Sequence, residues 1–330
     1  MKLYPALTTL ALACALFGAA APTHAAEAAS PASLAAVGLT QSQAGYHRFM
    51  IGAVEVTALS DGTIGLDTQL LQTPDRHALD AALEVAHVAS PLATSVNAYL
   101  VKLKGRLILV DAGTGTLFGP SLNKLPASLR AAGVDPSQIT DVLVTHVHTD
   151  HTGGLMSGTQ RVYPNATIHV DQREIDYWLS AANEQAAPKE KQAFFQQARA
   201  SLAPYVAAGQ VKTFDGAQQL FPGLRSVPAP GHTPGHTFYA LEDGGVKLMF
   251  WGDVMHAAEV QLPDPSVTIA YDVDPAAARA QRLRAFADAA QAGYLVAPAH
   301  MAFPGVGRLR ADGKAYRWLP LPYVNDAPGK

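Results

Sequence analysis

The sequence predicts one mixed α/β domain in which two sheets are covered by helices. Three observations lead there. Short segments of strand character recur along the chain beyond residue 45, and segments of helical periodicity lie between them. No Pro/Gly-rich linker and no internal repeat divides the chain. With 330 residues and 48% hydrophobic side chains, the chain is long enough to bury a large core.

Taken in order, the first 25 residues stand apart. One early Lys is followed by an apolar run, Leu7 to Ala21, and then by small residues. This is the layout of a secretory signal peptide cut near Ala25 or Ala26, which implies a periplasmic or secreted protein. The run is too short for a comfortable membrane span, which needs about 20 apolar residues. Cys14 is the only cysteine, so the mature chain would have no disulfides and no thiolate ligands. Residues 26–44, rich in Ala, Ser and Gln, read as a flexible lead-in, and the folded domain is expected over 45–330.

Within the domain, Val54–Ser60 alternates like a half-buried strand. Asn97–Leu103 and Arg106–Asp111 flank Lys104-Gly105 as a hairpin. Further strands are expected at Asp141–Thr145, Thr167–Asp171, Leu224–Ala229, Thr237–Glu242, Val246–Asp253 and Tyr294–Pro298. Helices are expected at Pro74–Ala86, Ser121–Ala132, Gln172–Ala182, Lys189–Ala208 and Pro275–Ala292. Asp111, His146, Asp253 and His300 each fall at or just past the C-terminal end of an expected strand. A rigid scaffold can aim side chains at one point from there.

Charged residues make up 15% of the chain and the formal net charge is −3. No run of Lys or Arg offers a face to nucleic acid or to an anionic membrane. No second long apolar segment follows the leader, so the mature protein is expected off the membrane.

The densest chemistry lies in THVHTDHTGG, Thr145 to Gly154. In an extended segment, residues i and i+2 point the same way, so His146 and His148 can face a common ion. Asp150 and His151 follow where the chain must turn, with Gly153 and Gly154 supplying the flexibility, and can aim at a second ion. Two cations sharing a site each need about three protein ligands, so the rest of the chain must contribute. His232 in APGHTPGHT, Asp253 in FWGDV and His300 in VAPAH are the candidates. The two carboxylate oxygens of Asp253 could bridge both ions. A solvated cluster of loop histidines is the bland alternative, and four ligand-type residues at this spacing argue against it.

His146-x-His148-x-Asp150-His151, followed by His232, Asp253 and His300, resembles the metallo-β-lactamase-fold hydrolases that hold two metals. The resemblance implies an αββα four-layer sandwich. It implies one ion on His146, His148 and His232, a second on Asp150, His151 and His300, and Asp253 between them. SDGT, TSVNAYLV, LVDAG, LFGP, YPNA, DYWLS, GHTPGHT, DPSVT, AFADAA, GYL and FPGVG extend the likeness. Together they are similar to the methyl parathion hydrolases and their lactone- and aryl-ester-cleaving relatives, from about Gly45 to the C-terminus. Such relatives form dimers, which makes a homodimer the default.

The implied mechanism is attack by a metal-bridging hydroxide on an ester, with Asp253 and Asp150 as the working carboxylates. Asp111 and His236 are expected to support ligands from behind. His-rich, thiolate-free ligation suits Zn, while the carboxylates are compatible with Mn, Fe or Co. The resemblance places Leu66, Leu71, Phe118, Trp178, Phe194, His256, Ile269 and Tyr271 around the substrate. Dedicated organophosphate hydrolases of this group carry Arg in place of Leu71, Leu in place of His256 and Tyr271, and Thr in place of Ile269. They also have one more residue between Trp178 and Phe194. These departures favour an arylesterase/lactonase of the dihydrocoumarin type over an organophosphate triesterase. An acyl-homoserine lactonase and a non-enzymatic periplasmic metal-binding protein are the other expectations to test.

Overall fold

The computed structural model describes residues 43–325; the expected signal segment, Cys14 and the lead-in up to residue 42 lie outside them. Among the described residues, no helix is long and apolar enough to cross a membrane.

Each half of the chain builds one seven-stranded sheet. The first sheet runs, in spatial order, Tyr46–Ile51, Val54–Leu66, Leu92–Leu103, Arg106–Val110, Asp141–Leu143, Thr167–Asp171 and Val211–Phe214. Its first four strands are antiparallel neighbours and the rest pair in parallel. The second sheet runs Gln219–Phe221, Leu224–Pro228, Thr237–Asp243, Val246–Gly252, Leu295–Pro298, Gly307–Asp312 and Ala315–Pro320. Parallel pairs need long crossovers, and the helices Leu125–Ala131, Lys189–Ala207 and Pro275–Ala292 lie in them.

The layering follows from the period-2 alternation of the strands. Ala58, Tyr99, Val101, Ile108 and Val110 face Tyr239, Leu241, Leu248, Phe250 and Ala297 between the sheets. Their chain neighbours Leu59, Ala98, Leu100 and Leu109 point outward and pack on Leu125, Leu129, Phe195 and Leu202 from two helices. On the far side, Ala240, Met249, Trp251 and Val296 pack on Phe286 and Ala289. The order is helix, sheet, sheet, helix. The Pro275–Ala292 helix shows why its boundaries are legible. Asp274 caps Ala277 N, Pro275 opens it, and Gly293 at φ 68° closes it.

Several elements differ from expectation for identifiable reasons. The helix expected over Gln172–Ala182 is two, Gln172–Trp178 and Ala181–Ala186, because Ser180 turns extended and caps Asn183 N. Tyr46–Ile51, Val211–Phe214, Gln219–Phe221, Gly307–Asp312 and Ala315–Pro320 are strands with no counterpart in the sequence reading. They lie at or next to sheet edges and bury few residues, which dilutes the apolar alternation. Val54–Leu66 runs past Ser60 through a bulge at Ser60/Gly62. That bulge carries Asp61, buried, into bonds from Thr114 N, Thr114 Oγ1 and Leu125 N.

Candidate metal centre

The strand Asp141–Leu143 ends two residues before Thr145, and His146 and His148 follow, His148 in extended backbone. His148 then starts a short helix, Thr149–Thr152, which carries Asp150 and His151. The two glycines after it serve a purpose other than the one expected. Gly153 sits at φ −59°, ψ −35°, a conformation open to any residue. What excludes a side chain is close approach: a Cβ on Gly153 would lie 2.3 Å from Thr114 O, and one on Gly154 would lie 1.9 Å from Ala112 O. The glycines let the ligand helix pack directly on the Asp111–Gly115 loop.

Two clusters result. His146, His148, His232 and Asp253 form one, and Asp150, His151, Asp253 and His300 the other, with donor atoms within 4.8 Å of one another in each. In the first, His148 Nδ1 lies 3.1 Å from His146 Nε2 and 2.9 Å from His232 Nε2. In the second, Asp253 Oδ1 lies 3.0 Å from His151 Nε2 and 3.1 Å from His300 Nε2, while Asp150 Oδ2 lies 3.2 Å from His300 Nε2. The side chains are buried except for Asp150, which keeps 24% exposure.

The chemistry of these donors fits a pair of divalent cations. His151 Nδ1 is 2.8 Å from Asp111 Oδ2, His232 Nδ1 is 2.7 Å from Asp272 Oδ1, and His300 Nδ1 is 3.0 Å from Ser95 O. Those oxygens accept, so each Nδ1 carries a proton, and each Nε2 can turn a lone pair inward once a cation takes the place of its own proton. Unprotonated donors about 3 Å apart repel unless a cation lies among them. A tetrahedral ion with donors at about 2.0–2.1 Å would space them roughly 3.3 Å apart. His151 Nε2 and Asp253 Oδ1 are, moreover, buried without a hydrogen-bond partner among the described residues.

Electrostatics show how strongly the carboxylates draw positive charge to the centre. Burial, and then the neighbouring histidines, hold His146 and His148 well below the usual imidazole range, which keeps them neutral. Burial pulls His232 and His300 down too, but Asp253 with Asp272 or Asp150 outweighs it, raising them to about 9 and about 10, so the carboxylates draw a proton to each ring that a bound cation would displace. Burial would raise the Asp253 carboxyl, and the surrounding imidazoles, His151 foremost, overcome it and hold it ionised.

The supporting residues sort themselves clearly. Asp111 adopts φ 60°, a strained setting that aspartate tolerates, and also accepts from Thr145 N at 2.8 Å. His236 Nε2 accepts from Asp253 N at 3.0 Å, which fixes the backbone of the central carboxylate. Two supports have no counterpart in the sequence reading. Asp272 orients His232, and Glu174, fully buried, accepts from Val147 N at 2.7 Å and Gly235 N at 2.6 Å. Asp272 directly follows Tyr271, a position already singled out, whereas Glu174, two residues before DYWLS, carried no signal of its own.

A cavity of about 330 Å³ opens beside His148, with Trp178, Phe194 and Tyr271 among its walls. The Trp178 and Phe194 rings lie 5.1 and 5.7 Å from the His148 ring. Leu66, Leu71 and Ile269 lie elsewhere, in a buried apolar cluster with Leu79, Leu83 and Val260. Phe118 is half-buried on its loop and does not line this cavity. His256 is buried too, with Nε2 3.0 Å from Asp253 Oδ2, so it touches the central carboxylate instead of the cavity wall. A larger apolar groove, about 500 Å³, contains none of the seven candidate ligands.

The sequence model of the metallo-beta-lactamase superfamily matches residues 92–300. The chain belongs to the metallo-beta-lactamase superfamily. Among solved members, the hydrolase AbOPH is 35% identical, with a TM-score of 0.82 over 86% of this chain and all of that one. AidC, described as a dizinc quorum-quenching lactonase, is 27% identical, with a TM-score of 0.79 over 85% of this chain and 99% of its own. The acyl-coenzyme A thioesterase MBLAC2 of Gallus gallus is 30% identical over 173 residues, 48% of this chain and 57% of its own. The ribonuclease TTHA0252 of Thermus thermophilus is 27% identical over 173 residues, 52% of this chain. The chain thus spans only 38% of the ribonuclease. The two-sheet architecture is that of the metallo-beta-lactamase fold, and its members make metal-dependent hydrolysis the chemistry of the family.

Removing an orienting partner from a metal-ligating histidine costs about 10–100-fold in metal affinity. Asp272→Ala is therefore expected to weaken metal retention by that factor in a chelator competition, at unchanged stoichiometry under saturating metal. Equal retention by variant and wild type would refute a supporting role for Asp272.

Proposed function

We propose that this chain is a dinuclear-metal hydrolase of aryl esters and compact lactones, related in specificity to the lactonase/arylesterase relatives of methyl parathion hydrolase. The observation that carries the reading is the aromatic cavity beside His148. Its volume of about 330 Å³ lies near the lower end of the roughly 300–1,000 Å³ typical of small-molecule sites. Trp178, Phe194 and Tyr271 favour a flat ring over a tetrahedral triester with two alkoxy arms.

His146, His148 and His232 would hold one divalent ion, Asp150, His151 and His300 the other, and Asp253 would lie between them. Ions bound there would supply Lewis acidity and lower the pKa of water into the neutral range. Asp253, locked by His236 behind and His256 beside it, keeps the two halves of the site in register. Asp150 is the ligand most open to solvent, so its carboxylate is the group suited to exchange protons with bulk water. Trp178 and Phe194 exclude water from the face of the substrate ring. Residues 1–25 would direct the chain to the periplasm or outside the cell.

A second reading is an acyl-homoserine lactonase, favoured by the likeness to AidC. Metal-replete protein, with His148→Ala as control, should be assayed on dihydrocoumarin, a phenyl ester, methyl parathion and acyl-homoserine lactones of several lengths. The expected order of kcat/KM places dihydrocoumarin and the phenyl ester first. A clear preference for methyl parathion or for long acyl chains would reverse the proposal.

A further inference from the structure

The aromatic cavity has one cationic group that the mechanism does not use. Lys191 lines it, together with His148, Trp178, Asn183, Phe194 and Tyr271, and none of the lining residues is acidic. Lys191 is partly buried in the first turn of the Lys189–Ala207 helix. Its Nζ donates to Ala270 O at 3.2 Å, next to Tyr271 in the chain. An ammonium has three donors, so this bond leaves two. Phe194 lies three residues further along the same helix. Residues at that spacing share a face, about 5–6 Å apart at Cβ. Phe194 in turn touches the His148 ring at 5.7 Å and Tyr271 at 6.3 Å between ring centroids. The cavity thus has a candidate metal ligand, an aromatic wall and an ammonium bonded to a single carbonyl in one lining.

We propose that Lys191 is a specificity-determining residue that selects aryl esters or lactones bearing a carboxylate on the side of the ring remote from the scissile bond. The proposal rests on the ester/lactone reading of the site and deepens it by naming the charge of the substrate. A ring seated against Trp178 and Phe194 with its ester toward His148 carries its para substituent toward Lys191. A carboxylate there replaces solvent on the two remaining N–H donors, with no acidic residue competing for them. Neutral esters of the same shape gain nothing from the ammonium.

The test is a matched pair, 4-carboxyphenyl acetate and 4-(methoxycarbonyl)phenyl acetate, assayed with metal-loaded wild type, Lys191→Met and Lys191→Arg. A partly exposed charge-assisted hydrogen bond supports a selectivity of about fivefold to tenfold. Lys191→Met is expected to raise KM for the carboxylate ester about fivefold more than for its methyl ester, while kcat moves little. Lys191→Arg should keep most of the selectivity, and added salt should erode it in wild type. Equal rises for both esters would make Lys191 a clasp between the helix and the Ala270 segment and overturn the proposal. So would an unchanged KM ratio. Failure of wild type holding two ions per chain to cleave either ester would overturn the ester reading itself. Lys191 is then judged by tryptophan fluorescence, with Trp178 in the cavity as reporter, using 4-hydroxybenzoate and its methyl ester. Loss of the preference for the acid in Lys191→Met supports an anion-selecting role, and equal preference in both proteins overturns it.

Discussion

Asp253→Asn is expected to lower kcat/KM on any ester the wild type cleaves by about 10³-fold, equivalent to about 4 kcal/mol of lost stabilisation. It is also expected to reduce metal content after dialysis from two ions per chain to one or fewer. The reason is geometric. Asp253 is the only residue common to both donor clusters. Its Oδ2 lies 3.6 Å from His146 Nε2 and 3.4 Å from His232 Nε2, and its Oδ1 faces His151 and His300 at 3.0 and 3.1 Å. The asparagine substitution conserves shape and removes the charge that faces five surrounding imidazoles and would balance bound cations. Neutralising one partner of such a buried arrangement costs about 3–5 kcal/mol, because the remainder stays desolvated and uncompensated. Metal analysis of dialysed protein beside steady-state kinetics checks both halves. Retention of two ions with near wild-type kcat/KM would show that Asp253 does not join the clusters. Loss of activity with both ions retained would place its role in the chemistry alone.

Much of this centre was legible because ligand side chains advertise themselves. A histidine or aspartate at the end of an apolar strand, four times over, is improbable as packing, and all seven residues named from the sequence lie in the two clusters. Asp111 was legible for the same reason: LVDAG ends a strand, and its carboxylate reaches His151. The central strands were also readable, since burial on both faces concentrates apolar residues, as in Val246–Gly252. Edge strands such as Ala315–Pro320 were not, because no part of that strand is fully buried. The surroundings of the substrate were harder still. Trp178, Phe194 and Tyr271 wall the cavity, but Leu71 and Ile269 pack in a satellite core, and a side chain reads the same in either place. His256 carried no sign in its neighbours that it reaches Asp253, three residues back. That contact depends on the turn after Gly252, and hence on tertiary structure.

Glu174 is the most consequential residue that the sequence left silent, and Glu174→Ala is expected to lower Tm by on the order of 10 °C. A glutamate in the first turn of a helix ordinarily faces water and favours the helix dipole. Here it is fully buried. Oε2 accepts from Val147 N at 2.7 Å and from Trp178 Nε1 at 3.0 Å, while Oε1 accepts from Gly235 N at 2.6 Å. Val147 stands between two candidate ligands, Gly235 lies three residues after His232, and Trp178 walls the cavity. One carboxylate therefore ties two separate loops of the site to one helix and fixes the Trp178 ring on that same helix. Glycine is required at 235 because a Cβ would lie 2.9 Å from Glu174 N. Burial pushes the Glu174 carboxyl up from its ordinary range, against the pull of these donors. Deleting it orphans three buried N–H groups, and each costs about 1–3 kcal/mol when left unpaired. Their sum, after partial relaxation, is about 4 kcal/mol, and a domain of this size loses roughly 2–4 °C per kcal/mol. Glu174→Gln keeps the volume and one carbonyl oxygen but turns an amide toward one set of donors, so it should fall between wild type and alanine. Calorimetry of the three proteins, each with chelator and with added metal, separates the two contributions. A deficit that persists in chelator belongs to the scaffold. A deficit that vanishes there would mean that Glu174 acts only through the ions. An unchanged Tm in Glu174→Ala would show that the loops around His148 and His232 are held by other contacts.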